Sequence, residues 1–176
     1  MAPEGGTGPG PDGGEALEGP SELILPPPGS RGRPMPRGRA MRAVIAVNSA
    51  AYRLLRGRGM RSMVLLTTRG ARTGRERTTP LAAFKDGRDL LVVASAGGDR
   101  SHPAWLLNLA RHPDAVFVEQ GGRRVQARPE ITSGEERERL WRRIVSSAPN
   151  FGRYQEQTDR QIPVVRLILE EPTSPR

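Results

Sequence analysis

From Thr67 to Pro80 the chain reads Thr-Thr-Arg-Gly-Ala-Arg-Thr-Gly-Arg-Glu-Arg-Thr-Thr-Pro. Glycines in such a stretch let backbone N–H groups come close to an anion. Arg72, Arg75 and Arg77 carry planar forks that match phosphate or carboxylate oxygens. Thr73 lies within the same turn, and Thr78, Thr79 and Pro80 follow it. The Gly-Lys-Ser/Thr ending of a nucleotide phosphate loop is missing. On spacing alone, a solvated hairpin tip accounts for these charges as well as an anion clamp does. Lys85 is the sole lysine, and GC-rich coding also produces such an arginine bias.

Two further stretches bear reactive groups. In Ala94-Ser95-Ala96-Gly97-Gly98 a strand ends and glycines permit a turn; Ser101-His102-Pro103-Ala104-Trp105 then opens a helix. Free N–H groups at a helix start favour an anion, although plain capping by Ser101 or His102 explains the pattern equally. His102 and His112 each precede a proline with no acidic partner in view, so neither is expected to be catalytic, and no metal site is expected. In Pro149-Asn150-Phe151-Gly152-Arg153-Tyr154, the two aromatic residues are three apart and share a helix face. They could wall a pocket, with the Tyr154 hydroxyl donating a proton or hydrogen bond, or form a core pair.

The elements that would position these groups are strands joined by tight turns. Met63–Thr68, Thr78–Phe84, Leu90–Ala94, Ala115–Glu119, Arg124–Ile131 and Val164–Leu169 are rich in β-branched and apolar residues. Their nearly continuous apolar runs predict cover on both sheet faces. Asp86-Gly87 and Gly121-Gly122 mark two-residue hairpins. Helices are expected at Pro103–Arg111, from Ser133 with a capping box, and at Gly152–Gln157. Strict βαβ alternation is missing, so the expected class is α+β, a six-stranded antiparallel barrel with peripheral helices rather than a doubly wound sheet. Residues 60–171 would form this domain. Residues 41–57 read as an amphipathic helix, with Met41, Val44, Ile45, Asn48, Ala51, Tyr52 and Leu55 at steps of three and four.

Residues 1–40 hold many of the 21 Gly and 17 Pro and are expected to be a disordered Gly/Pro/Arg-rich tail, because so little apolar surface cannot offset ordering entropy. With no cysteine, disulfides, thiolate metal sites and a Cys nucleophile are excluded. No run approaches the ~18 apolar residues of a membrane span, and the N-terminus lacks the basic start and apolar run of a signal peptide. A cytoplasmic location is expected, with the basic helix at 41–57 open to peripheral contact with the inner face of a membrane. A net charge of +9 suits nucleic acid, but few aromatics and no recognition motif argue against that partner.

Five blocks in order carry a family resemblance: Leu65-Leu66-Thr67-Thr68-x-Gly70-x-Arg72-Thr73-Gly74, Arg77-Thr78-Thr79-Pro80-Leu81, Val92-Val93-Ala94-Ser95-x-Gly97-Gly98, His102-Pro103-Ala104-Trp105-x-x-Asn108-Leu109, and Tyr154-Gln155-x-x-Thr158-Asp159-Arg160-x-Ile162-Pro163-Val164-Val165. Over residues 41 to 170 the chain resembles the deazaflavin (F420)-dependent nitroreductase family of split β-barrel, FMN-binding-like oxidoreductases. The resemblance implies hydride transfer from reduced coenzyme F420 to a small organic acceptor such as a quinone, nitroaromatic or enone. It places Arg72 and Arg77 on the cofactor's phosphate and glutamate tail, Thr78, Thr79 and Pro80 along the deazaflavin, and Ser95, Gly97 and Gly98 against the ring system, with Thr73, Arg75, Ala94 and Ala96 also among the cofactor-binding residues. Trp105 and Asn108 would shape the cofactor wall. Tyr154 and Ser95 would serve catalysis, while Ala82, Phe151 and Tyr154 would meet the substrate. A homodimer is implied. Relatives active on nitro compounds often carry tyrosines where this chain has Ala148 and Phe151, and Lys where it has Ala96; Ala82-Ala83 implies a wider pocket. Two other readings are an FMN-using split-barrel oxidoreductase and a membrane-associated F420-binding protein without turnover.

Overall fold

The computed structural model describes residues 23–34, 38, 47, 50, 54 and 62–170. Six antiparallel strands close a barrel in the order β1-β2-β3-β6-β5-β4. They are β1 (Met63–Arg69), β2 (Glu76–Asp86), β3 (Asp89–Val93), β4 (Val116–Gln120), β5 (Arg123–Ile131) and β6 (Val164–Leu169). Helices α1 (Ala104–Arg111), α2 (Gly134–Ser147) and α3 (Asn150–Glu156) lie around it. The expected split barrel is the observed one. Its split comes from the two long strands. Residues 76–82 of β2 pair with β1, while 83–86 pair with β3. Likewise 123–126 of β5 pair with β4, and 127–131 with β6. Pro80 sits in the first half of β2, where only one side of the strand is laddered, so its missing N–H is tolerated.

The near-continuous apolar runs have the expected cause. Successive side chains point to opposite faces. Leu90 and Val92 of β3, with Val165 and Leu167 of β6, join the cluster containing Val64, Leu66, Leu106 and Leu109. Their neighbours Leu91, Val93 and Val164 join a second cluster with Leu140, Ile144 and Ile162, under α2 and α3. Each of these fully buried side chains contributes about 1.5–3 kcal/mol. The hairpins are local in origin: Gly121 and Gly122, at φ 61° and 83°, supply the two left-handed residues that a type I′ turn between Gln120 and Arg123 requires.

Three expectations change. Ser133 does stand before α2, but its side chain makes no capping bond. Helix α3 begins at Asn150, not Gly152. Most importantly, residues 23–34, placed in the disordered tail, run as a strap over the barrel. Leu23 and Leu25 pack against the first cluster. The strap's amides bond outward from Gly29 to the Arg100 carbonyl at 2.8 Å and from Arg33 to the Gly98 carbonyl at 2.9 Å. These contacts, distant in sequence, offset the ordering entropy that composition alone left unmet. The rest of the 1–40 segment lies outside the described residues. So does the 41–57 helix, apart from Val47, Ala50 and Leu54, which are helical and exposed.

His102 joins strap to barrel. Its Nε2 lies 2.7 Å from the Pro26 carbonyl, and its Nδ1 lies 3.5 Å from the Arg160 guanidinium. Burial pushes the imidazole below its usual value, and the Arg160 charge adds to this, against the raising effect of the Pro26 carbonyl. The folded chain therefore holds fewer protons here than the unfolded one. That contribution to stability is complete above pH ~6.5 and declines as pH falls below it. The melting temperature of the wild type is expected to drop from pH 7 to pH 5 more than that of a His102→Asn variant. Equal drops in calorimetry would rule out this role for His102.

Candidate functional site

The segment after β3 is the most constrained stretch of backbone. Ala96, Gly97 and Gly98 take φ of 46°, 59° and 83°, three left-handed residues in succession. Ala96 is the sole non-glycine residue with positive φ among the described residues, a strain of order 1 kcal/mol. Gly98 has no room for a side chain: a Cβ would stand 2.9 Å from Gln157 and 3.0 Å from the Tyr154 carbonyl. The C-terminal end of α3 thus backs directly onto this loop, which brings Ser95–Gly98 beside Tyr154.

What holds the loop is Arg160, only 2% exposed. Its Nη2 donates to the carbonyls of Ala94 at 3.0 Å and Ser95 at 2.8 Å, and its Nε donates to the Asp99 carbonyl at 2.8 Å. Burial lowers its pKa, opposed by the Asp99 charge; a guanidinium stays protonated regardless. Just before it in the chain, Thr158 and Asp159 bond to the strap. The Thr158 hydroxyl donates to the Arg31 carbonyl at 2.9 Å. The Asp159 carboxylate accepts from the Ser30 hydroxyl and from the Ser30 and Arg31 amides. Those donors hold the exposed carboxyl down to about 2.

The arginine-rich turn is fixed from below. Asn108 on α1, 9% exposed, accepts from the Ala71 amide at 3.0 Å and donates to the Thr68 hydroxyl at 3.2 Å. Across the strands, the hydroxyls of Thr67 and Thr78 share a 2.9 Å bond. Above these contacts Arg72, Thr73, Arg75 and Arg77 are all exposed. Among the described residues none of the three arginines forms an ion pair, while the intervening Glu76 is taken by Arg124 at 2.8 Å. Three uncompensated forks on one turn suit a ligand with several anionic oxygens.

The expected site residues separate by position. Arg72, Thr73, Arg75 and Arg77 form the exposed turn; Thr78, Thr79 and Pro80 are half-buried along β2; Ser95, Ala96 and Gly97 are half-buried in the loop. Three others are framework. Ala94 is fully buried, its N–H donating to Pro163 and its carbonyl held by Arg160, so it supports the loop rather than facing a ligand. Trp105, 6% exposed, is part of the barrel core, and Asn108 pins the turn. Phe151 lies largely in the core. It is 8% exposed within the second cluster, edge-on between Phe84 at 5.9 Å and Tyr154 at 6.0 Å. It props the Tyr154 ring and offers little surface to a substrate. Ala82 is exposed and Tyr154 half-buried.

Reasoning from residue types missed Arg160, Asp159, His102 as a strap anchor, and the strap itself. The available signal was Thr158-Asp159-Arg160, two charges three residues before an apolar strand, where a charge needs buried partners. Among the described residues no group of side chains could hold a metal ion, and no helix is long and apolar enough to cross a membrane.

Comparison with known proteins agrees with this fold. A family model described as F420H(2)-dependent quinone reductase matches residues 41–169. An F420H(2)-dependent quinone reductase of Mycobacterium tuberculosis (strain ATCC 25618 / H37Rv) is 38% identical over 133 residues, spanning 70% of this chain and 89% of that protein. A solved F420-H2 dependent reductase, FDR-A, superposes with a TM-score of 0.55 at 38% identity, covering 61% of this chain and 94% of that one. A second solved structure, described as a domain-swapped dimer, gives a TM-score of 0.56 at 34% identity, with coverage of 71% and 98%.

Proposed function

The chain belongs to the F420H(2)-dependent quinone reductase family, and from that premise we infer how its residues use coenzyme F420 to reduce an organic acceptor. It is an F420-dependent oxidoreductase; the FMN reading and the reading as a binder without turnover give way to this one. When bound, the reduced cofactor supplies a hydride to the acceptor.

The observation that carries the site is the pairing of an uncompensated arginine turn with a rigid glycine loop. Arg72, Arg75 and Arg77 hold the cofactor's phosphate and carboxylate tail through charge-assisted hydrogen bonds. Thr78, Thr79 and Pro80 border the ring along the half-open edge of β2. The Ser95–Gly98 loop presents backbone and the Ser95 hydroxyl to the ring, and its strained geometry fixes where the ring can lie. Reducing a quinone to a quinol takes two electrons and two protons, so the hydride needs one further proton. The Tyr154 hydroxyl, on a ring propped by Phe151, holds that proton beside the acceptor. Ala82 leaves room for a broad acceptor such as a naphthoquinone; nitroaromatics and enones fit the same electron demand.

Tyr154→Phe tests this assignment. Turnover of menadione is expected to fall about 10²–10⁴-fold with cofactor affinity within about twofold of wild type. Full turnover would remove the proton role. The homodimer is supported by the relative described as a domain-swapped dimer. Peripheral membrane contact rests on the basic amphipathic sequence pattern of residues 41–57 alone.

A further inference from the structure

The carbonyls around the glycine loop are held from two sides. From within, Arg160 takes those of Ala94, Ser95 and Asp99. From outside, the strap takes those of Gly98 and Arg100 through the amides of Arg33 and Gly29. Thr158 and Asp159, adjacent to Arg160, bind the strap at Ser30 and Arg31. The strap has been shaped to this approach. A Cβ on Gly29 would collide with the Asp159 carboxylate, and one on Gly32 with the Arg100 backbone.

We propose that Thr158-Asp159-Arg160 and the strap at residues 26–33 form a two-sided lock that positions the Ser95–Gly98 loop for the cofactor. Arg160 and Asp159 are positioning residues, and the strap is part of the binding site although it need not touch the ligand. The physical reason is preorganisation. A loop with three successive left-handed residues is not the conformation a free segment adopts, and binding is weakened by whatever ordering remains to be done. Holding its carbonyls before the ligand arrives removes that cost. The inference rests on the reading of Ser95–Gly98 as the cofactor loop.

The test uses the full chain carrying Gly29→Ala with Gly32→Ala, and separately Asp159→Asn, an exposed position. Hydrogen exchange, coenzyme F420 titration and menadione kinetics are measured on each. In the double variant, residues 26–33 should lose protection, and amides in 95–100 should exchange about tenfold faster. The cofactor Kd should rise about tenfold, while the KM for menadione stays close to wild type. Asp159→Asn should show the same pattern at about fivefold. A freed strap with unchanged loop exchange and unchanged Kd overturns the lock. So does a strap that stays protected in both variants. Failure of the site reading looks different: in the wild type, adding coenzyme F420 would protect some other segment and leave 95–98 unaffected. A lower melting temperature alone, with cofactor Kd unaltered, would make these contacts structural only and also overturn the proposal.

Discussion

Replacing Arg72 and Arg77 together by alanine is expected to weaken binding of coenzyme F420 by about 10²–10⁴-fold. Each guanidinium contributes a charge-assisted hydrogen bond or pair, worth ~1.5–3 kcal/mol when its partner is a full anion, and every 1.4 kcal/mol is about tenfold in affinity. The fold should be indifferent. Both side chains are exposed, and neither forms an ion pair among the described residues, so stability should stay within about 0.5 kcal/mol of wild type. Lysine at both positions should recover part of the affinity, since the charge remains and the fork is lost. Titration of the oxidised cofactor measures all three variants. Affinity unchanged in the double alanine variant would mean that the tail binds elsewhere on the barrel.

The second large effect concerns stability. Arg160→Met keeps much of the side chain's length and apolar stem but removes all its donors. The Ala94 and Asp99 carbonyls then lose a donor that comes from a residue only 2% exposed, and Asp99 loses one nearby positive charge. Two buried carbonyl acceptors left without this donor, together with the lost charge contact, cost about 3–5 kcal/mol. For a domain of this size that lowers the melting temperature by ~10 °C or more. Scanning calorimetry decides it. A loss below about 1 kcal/mol would mean that water or a rearranged side chain takes over those carbonyls.

The barrel was legible because its signals are local. Alternation along β3 and β6 needs only neighbouring residues, and Gly121-Gly122 announces its own turn. The arginine turn and the glycine loop were legible for the same reason: glycine and arginine mark unusual backbone and anion chemistry within a few positions. What escaped depends on partners far along the chain. Ser30 and Asp159 are 129 positions apart, and nothing near Leu23-Ile24-Leu25 tells that Leu23 and Leu25 find a core to cover them. A Gly/Pro-rich composition describes a segment that cannot build its own core; it does not forbid borrowing one. Arg160 was hidden likewise, since its partners are main-chain carbonyls that carry no sequence identity. Phe151 and Tyr154 show the remaining ambiguity. Their spacing put both rings on one face, but only the surrounding cluster of Leu91, Leu140 and Ile162 separates the buried prop from the ring beside the loop.

A crystal structure of the complex with coenzyme F420 tests the central claim directly. Phosphate or carboxylate oxygens are expected within about 3.2 Å of the Arg72 and Arg77 guanidinium groups, with the ring lying along Ser95–Gly98. Arginines left pointing into solvent, with the cofactor seated against another face of the barrel, would contradict it.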